Sequence, residues 1–92
     1  MTIDQIKQLD REAGHHFFEA DTMRFFNSRV SSVTFGSYFV TSEKGPDNIR
    51  AWSVRRIDSG TKQVITVGEF QGYSSLKIAL KAAETYHSVS KD

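Results

Sequence analysis

The residues best suited to chemistry in this sequence are cationic side chains on one predicted strand. Arg50, Arg55 and Arg56 lie along it, Trp52 stands between them, and Lys62 enters the next strand. A guanidinium can bind a phosphate or a carboxylate through two parallel hydrogen bonds, and a tryptophan beside it can stack on a base or fill a protein interface. We therefore predict a binding surface made of Arg50, Trp52, Arg55, Arg56 and Lys62. The alternative is a solvated hairpin whose arginines lie over apolar neighbours.

Catalytic and metal-binding patterns are absent from the sequence. The chain has no cysteine, which excludes disulfides, thiolate ligands and cysteine nucleophiles. It contains no GxSxG, Walker-type, GxGxxG or HExxH motif. His15 and His16 are adjacent, with Glu12 and Glu19 within helical reach, but neighbouring histidines diverge and rarely ligate one ion. We predict no enzymatic activity, no catalytic residue, no metal site and no cofactor.

Length and charge restrict the class of protein further. Ninety-two residues, 38% hydrophobic and 25% charged, are typical of one folded domain, so we predict a single domain over residues 1–92. Residues 1–21 hold two basic and five acidic residues, whereas residues 22–92 hold ten basic and six acidic ones. The pI of 8.1 is below the value of about 9 that is typical of strong nucleic-acid binders. No signal peptide and no membrane-spanning run is expected, which favours the cytoplasm.

Two helices are predicted at the ends of the chain, and a short one between them. Thr2 and Gln5 form a capping-box pattern for a helix over about 3–13. A short aromatic helix is predicted over MRFFNS, capped by Asp21 or Thr22. A third helix is predicted over about 75–88 with Ser74 as N-cap, because apolar residues recur there at helical spacing.

Three strands are predicted between these helices. The segments at about 33–42, 49–57 and 62–70 are rich in β-branched and aromatic residues, and the last two are joined by a tight turn with Gly60 in the left-handed position. We predict an α+β fold: a three-stranded antiparallel meander covered by the C-terminal helix, with residues 1–30 helical and residues 31–92 in the order β-β-β-α. The order α-β-β-β-α is also that of double-stranded RNA-binding domains, but the basic cluster those domains carry at the start of the last helix is missing.

The period of two along each strand assigns side chains to the two faces of the sheet. We predict that Trp52, Val54, Ile65 and Val67 face the C-terminal helix. A small-residue, partly polar face then holds Ala51, Ser53, Arg55 and Thr66. The residues expected to be mostly buried are Trp52, Val54, Val67, Leu76 and Leu80. Most of the phenylalanines should also be core, and the rest could form a protein-contact patch.

Three segments resemble a family of short, uncharacterised proteins encoded by bacteriophages, prophages and plasmids. They are FFEADTMRFFNSRV at 17–30, YFVTSE at 38–43 and ITVGEFQGYSS at 65–75. The resemblance implies a mobile-element accessory protein in the host cytoplasm, and it carries over no catalytic residue. Genes of this kind often encode inhibitors of host defence, CRISPR–Cas nucleases included. The implied partner is a host protein or ribonucleoprotein effector, bound stoichiometrically.

A second resemblance gives the alternative function. Residues 49–86 are similar to the three-strand-plus-helix DNA readers of phage integrases and plant AP2 domains. Those domains lay the sheet in the major groove, which implies a DNA- or RNA-binding accessory or regulatory protein. Steeply salt-dependent binding to generic DNA would favour this alternative, because phosphate contacts release counterions.

Overall fold

Three helices and four strands follow one another in the residues that the computed structural model describes, 1–25 and 27–90. The α+β class and the antiparallel meander are confirmed, but the sheet has four strands rather than three, each paired with the next along the chain. The elements are α1 (Ile3–Glu12), α2 (Ala20–Phe25), β1 (Arg29–Phe35), β2 (Tyr38–Lys44), β3 (Arg50–Ile57), β4 (Val64–Val67) and α3 (Leu76–Val89).

The additional strand arises because the segment predicted as one strand at 33–42 is a hairpin. β1 and β2 pair as far as Phe35 and Tyr38, and Gly36 with Ser37 makes the connection. Gly36 has φ +60°, which a residue with a Cβ adopts only with strain. A Cβ there would also lie 2.7 Å from His87 Cε1, so glycine lets the end of α3 approach the turn.

Local signals set the helix boundaries, with small corrections. The Thr2–Gln5 capping box is present, and α1 ends at Glu12, one residue before the predicted end. α2 lies about three residues earlier than predicted, and Phe26 of that prediction lies outside the described residues. The N-cap of α3 is Ser75 rather than Ser74, because the Ser75 hydroxyl accepts a hydrogen bond from the backbone N–H of Ile78.

The first face of the sheet packs against α3, as predicted. Val54 is fully buried there, while Trp52, Val67 and Leu80 are partly buried around it. Leu76 was expected in this core, but it is 42% exposed. It is the first residue of α3 and borders a surface cavity rather than the sheet.

The second face is covered by the N-terminal part of the chain. Ile6 from α1 is fully buried against Phe39, Ile57 and Val64, and Phe18 packs on Phe39 with ring centroids 5.8 Å apart. The sequence pattern predicted only one covering layer. β2 is consequently buried on both faces over residues 38–43, which holds the two central strands between two layers. No helix among residues 1–25 and 27–90 is long and apolar enough to cross a membrane.

Replacing Ile6 tests whether α1 is part of the core. Ile6→Ala should cost about 2–5 kcal/mol of unfolding free energy, because it removes a fully buried side chain. Leu76→Ala is the matched control, and as a surface change it should stay within about 0.5 kcal/mol of the parent protein. Urea denaturation followed by circular dichroism gives both values. Equal stability of Ile6→Ala and the parent would mean that α1 is peripheral.

Asp10 predicts a pH dependence of stability. Its side chain is buried, and burial raises its pKa above the usual 3.8, against the lowering effects of His15, the Phe17 backbone N–H and His16. The folded state therefore holds the Asp10 proton more tightly than the unfolded state. This contribution to stability is full below the unfolded pKa and is lost as pH rises through the folded pKa. Asp10→Asn should therefore gain stability relative to the parent as pH rises above 3.8.

Thermal melts of the parent, Asp10→Asn and the exposed control Asp4→Asn measure this effect. The melting-temperature difference between Asp10→Asn and the parent should move in favour of Asn as pH rises, whereas Asp4→Asn should follow the parent. A difference that does not change with pH would show that the Asp10 pKa is not raised.

Candidate binding site

The predicted cationic surface is divided between the two faces of the sheet. Arg50, Trp52 and Arg56 alternate with Arg55 along β3, so they lie on the α3 face. Arg55 lies on the other face, where its guanidinium carbon is 5.3 Å from the centre of the Phe17 ring. Lys62 lies in the turn before β4. The five residues predicted together therefore do not form one surface.

A cavity of about 230 Å³ contains two of the predicted residues, Arg50 and Trp52. Arg29 joins them from β1, because Arg29 pairs with Ser42 of β2 and Ser42 pairs with Trp52 of β3. Leu76 borders the cavity from the first turn of α3. We call this cavity the arginine pocket; its lining is Arg29, Val30, Ser31, Val40, Thr41, Ser42, Arg50, Trp52 and Leu76.

Two arginines share the arginine pocket, and no carboxylate of residues 1–25 or 27–90 neutralises them. Arg50 donates hydrogen bonds to Ser42 Oγ at 2.7 Å and to the Asn27 carbonyl at 3.1 Å, and both acceptors are neutral. In the described part of the chain, no Asp or Glu forms an ion pair with Arg50 or Arg29. Burial lowers the pKa of Arg50, and the positive charge of Arg29 lowers it further, with Glu43 opposing. An anion in this pocket would relieve that repulsion.

A backbone bridge holds the start of α3 at the edge of the arginine pocket. The Trp52 N–H donates to the Tyr73 carbonyl at 2.9 Å, and the Tyr73 N–H donates to the Trp52 carbonyl at 3.2 Å. The Gln71 N–H also donates to Ser53 Oγ at 2.7 Å. These bonds tie the segment after β4 to β3, and so the first turn of α3 is held beside Trp52.

Arg55 has a different environment, since it is enclosed between the sheet and two aromatic rings. Its Nε donates to Thr41 Oγ1 at 3.0 Å, one terminal nitrogen to Thr66 Oγ1 at 2.6 Å and the other to Glu43 Oε1 at 3.4 Å. The centre of the Phe70 ring lies 5.2 Å from the Arg55 guanidinium carbon, and the Phe17 ring also lies against this guanidinium. Burial lowers the pKa of Arg55, while Glu43 raises it. The hydrogen bonds of Arg55 therefore stabilise the sheet rather than extend to the protein surface.

Arg56 and Lys62 interact with the turn between β3 and β4. Arg56 lies 4.0 Å from an Asp58 oxygen, and the Lys62 ammonium donates to the Ser59 carbonyl at 2.7 Å. Hydrogen bonds from Thr61 hold the pKa of Asp58 below its usual value. Lys62 adopts the left-handed conformation with φ +59°, which the sequence pattern had assigned to Gly60. Both cations are therefore engaged locally.

Arg29, Ser42 and Leu76 line the arginine pocket but were not among the predicted binding residues. Arg29 fell within residues 1–30, which were predicted to be helical, whereas β1 begins at Arg29. The hairpin at Gly36 was not recognised, and the β-branched Val30 was the available sign of a strand there. Ser42 is uncharged and follows no motif. Leu76 had been assigned to the core by its helical spacing.

The histidines of the N-terminal part bind different groups. His15 Nε2 lies 3.0 Å from the Thr61 carbonyl, and His16 Nδ1 lies 2.7 Å from a Glu19 oxygen. In the range 1–25 and 27–90, no cluster of three His, Cys, Asp or Glu side chains could hold a metal ion. His15 thus connects the loop after α1 to the turn between β3 and β4, and His16 makes a contact within its own segment.

Comparison with known proteins identifies the family of the chain. Residues 2–84 match the model of a family of unknown function, DUF7447, and the chain belongs to that family. The matched range takes in all four strands and all residues of the arginine pocket. No curated protein and no solved structure shows significant similarity to the chain.

The buried pair of Glu43 and Arg55 predicts a strong effect on stability. Glu43→Ala should cost about 3–5 kcal/mol, because it leaves a buried guanidinium without its carboxylate. Glu43→Met combined with Arg55→Met should cost less than Glu43→Ala alone, since no charge is then left unpaired. Urea denaturation of the single and double variants measures this. If Glu43→Ala unfolds at the same urea concentration as the parent, the pair carries no such role.

Proposed function

We propose that this DUF7447 protein acts by stoichiometric binding, and that its arginine pocket receives an acidic side chain of a protein partner. The observation that carries the proposal is the pair Arg29 and Arg50, which share one cavity without a carboxylate in the described part of the chain. A partner carboxylate could accept hydrogen bonds from both guanidinium groups. Charge-assisted bonds of this kind are about twice as strong as neutral ones.

The apolar neighbours of the two arginines favour a protein partner. Trp52 is partly buried in the pocket, and Leu76 is 42% exposed at its edge. Tryptophan and arginine are enriched among the residues that dominate binding energy at protein interfaces, where they lie near the centre within a desolvated region. A pocket of about 230 Å³ has the size for a side chain and its immediate neighbours rather than for a large ligand.

Nucleic acid is the second candidate partner, but the fold argues against binding in which the sheet itself lies in a DNA groove. A sheet that lies in a DNA groove needs one open face. Here α3 packs on one face, and α1 with the phenylalanines after it packs on the other. Arg29 and Arg50 could still bind phosphate groups, and the pull-down described below distinguishes that outcome from binding to a protein carboxylate.

The resemblance to phage, prophage and plasmid proteins supports a proposal for the partner's identity. We propose a mobile-element accessory protein that acts in the host cytoplasm and inhibits a host defence effector, such as a CRISPR–Cas nuclease, by occupying it. A protein or ribonucleoprotein effector would then supply the acidic group. In this proposal the chain works by contact, without catalysis.

A pull-down with matched charge variants tests the proposed binding. The tagged parent protein is used to recover a partner from a bacterial host, and affinity is then measured for the purified pair. Arg29→Ala with Arg50→Ala should weaken binding roughly thirtyfold or more, the effect of breaking a desolvated charge pair. Arg29→Glu, at an exposed position, tests the same pocket with little risk to folding.

Arg11→Ala with Lys81→Ala is the control, because it removes the same charge at exposed positions outside the arginine pocket. It should bind like the parent. Binding that nuclease treatment abolishes, with an affinity that falls steeply between about 50 and 200 mM salt, would instead identify nucleic acid as the partner. Equal affinity of the folded pocket variants and the parent would contradict the proposal.

A further inference from the structure

A second cavity lies on the opposite face of the sheet, above the pair of Glu43 and Arg55. Its volume is about 260 Å³, and its apolar walls include Phe17, Met23 and Phe70. We call it the Glu43 cavity. The proposed binding of a partner at the arginine pocket leaves it unused, because the two cavities have no lining residue in common.

Glu43 presents an unpaired acceptor in a buried position. Its side chain is 4% exposed, and within residues 1–25 and 27–90 Oε1 accepts only the long 3.4 Å bond from Arg55. Among the described residues, no donor reaches the buried Oε2. A buried carboxylate oxygen without a donor costs free energy, so a ligand that supplies one would be favoured there.

Arg55 presents unused donors beside that acceptor. A guanidinium carries five N–H groups. Three hydrogen bonds from Arg55 are made, to Thr41, Thr66 and Glu43, and they leave one N–H on each terminal nitrogen without an acceptor in the described part of the chain. The cavity thus offers an acceptor and a donor side by side on Glu43 and Arg55.

The shape and charge of the cavity restrict the ligand. The charges of Glu43 and Arg55 cancel, so a neutral group loses less solvation on entry than an ion and matches the pair better. Phe17 and Phe70 line the cavity and offer apolar contact to a flat ring. The volume is below the roughly 300–1,000 Å³ of pockets for drug-sized ligands, which leaves room for one small ring.

We propose that the Glu43 cavity binds a small neutral planar heterocycle that carries an N–H donor beside a carbonyl oxygen, the edge found in uracil and other lactams. The ring N–H donates to Glu43 Oε2, and the ring carbonyl accepts from a terminal nitrogen of Arg55. Phe70, which is 51% exposed, covers the ring at the open side. Met23, from α2, forms a further apolar wall of the cavity.

Titration of the folded protein with three lactams tests the proposal. Uracil, thymine and 2-pyridone are added to the ¹⁵N-labelled protein, and saturable shifts are expected at the backbone amides of Glu43, Arg55 and Phe70 for at least one of them. 1,3-Dimethyluracil has the same ring and no N–H, and it should bind at least tenfold more weakly. Uridine and a short oligo-uridine then distinguish a free base from a base within a nucleoside or a strand.

Variants keep the test independent of folding. Glu43→Gln preserves the shape and removes the carboxylate, and it should weaken lactam binding about tenfold where it folds. Phe70→Ala changes an exposed ring and should weaken binding about fivefold or more through lost stacking. Ile78→Ala, at a residue that is 52% exposed on α3, is the matched control and should bind like the parent.

Three results would overturn the proposal. The first is the absence of saturable shifts with all three lactams at millimolar concentration. The second is equal binding of uracil and 1,3-dimethyluracil, which would show that no N–H donor is recognised. The third is unchanged binding in folded Phe70→Ala, which would place the ring elsewhere.

Discussion

Both faces of β3 are covered, and this constraint decides what each cation of the strand can do. Side chains alternate along a strand, so neighbouring arginines enter different environments. Arg55 meets Thr41, Thr66 and Glu43 under two phenylalanines, where burial makes its pairing a matter of stability. Arg50 lies on the other face beside Arg29, where no described carboxylate pairs with it.

The two layers that cover the sheet also separate the two binding sites that we propose. The α3 side carries a cationic pocket with a tryptophan, which suits an anionic group on a protein partner. The N-terminal side carries a charge-balanced cavity with aromatic walls, which suits a neutral ring. The match to the DUF7447 model, over residues 2–84, includes the lining residues of both cavities. The two sites have no lining residue in common, so each can be tested separately.

Signals that act over a few residues were readable from the sequence. The Thr2–Gln5 capping box, the strand alternation around Val54 and the apolar spacing of α3 all led to correct elements. Contacts between distant segments were not readable. Nothing local shows that Ile6 packs on Phe39, or that Arg29 comes beside Trp52 through Ser42. The residues of the predicted cationic surface lie on two faces of the sheet for the same reason, since spacing along the chain does not show the layer that covers each face.

Hydrogen–deuterium exchange of the complex with the recovered partner tests the central claim most directly. Slower exchange on binding is expected at residues 29–31, 50–52 and 75–78, which surround the arginine pocket, with residues 3–12 of α1 unchanged. Exchange can be read at each backbone amide in the free and bound protein, so the contact surface is located without any substitution. Protection confined to α1 and α2, with no change around Arg29, Arg50 and Leu76, would contradict the account.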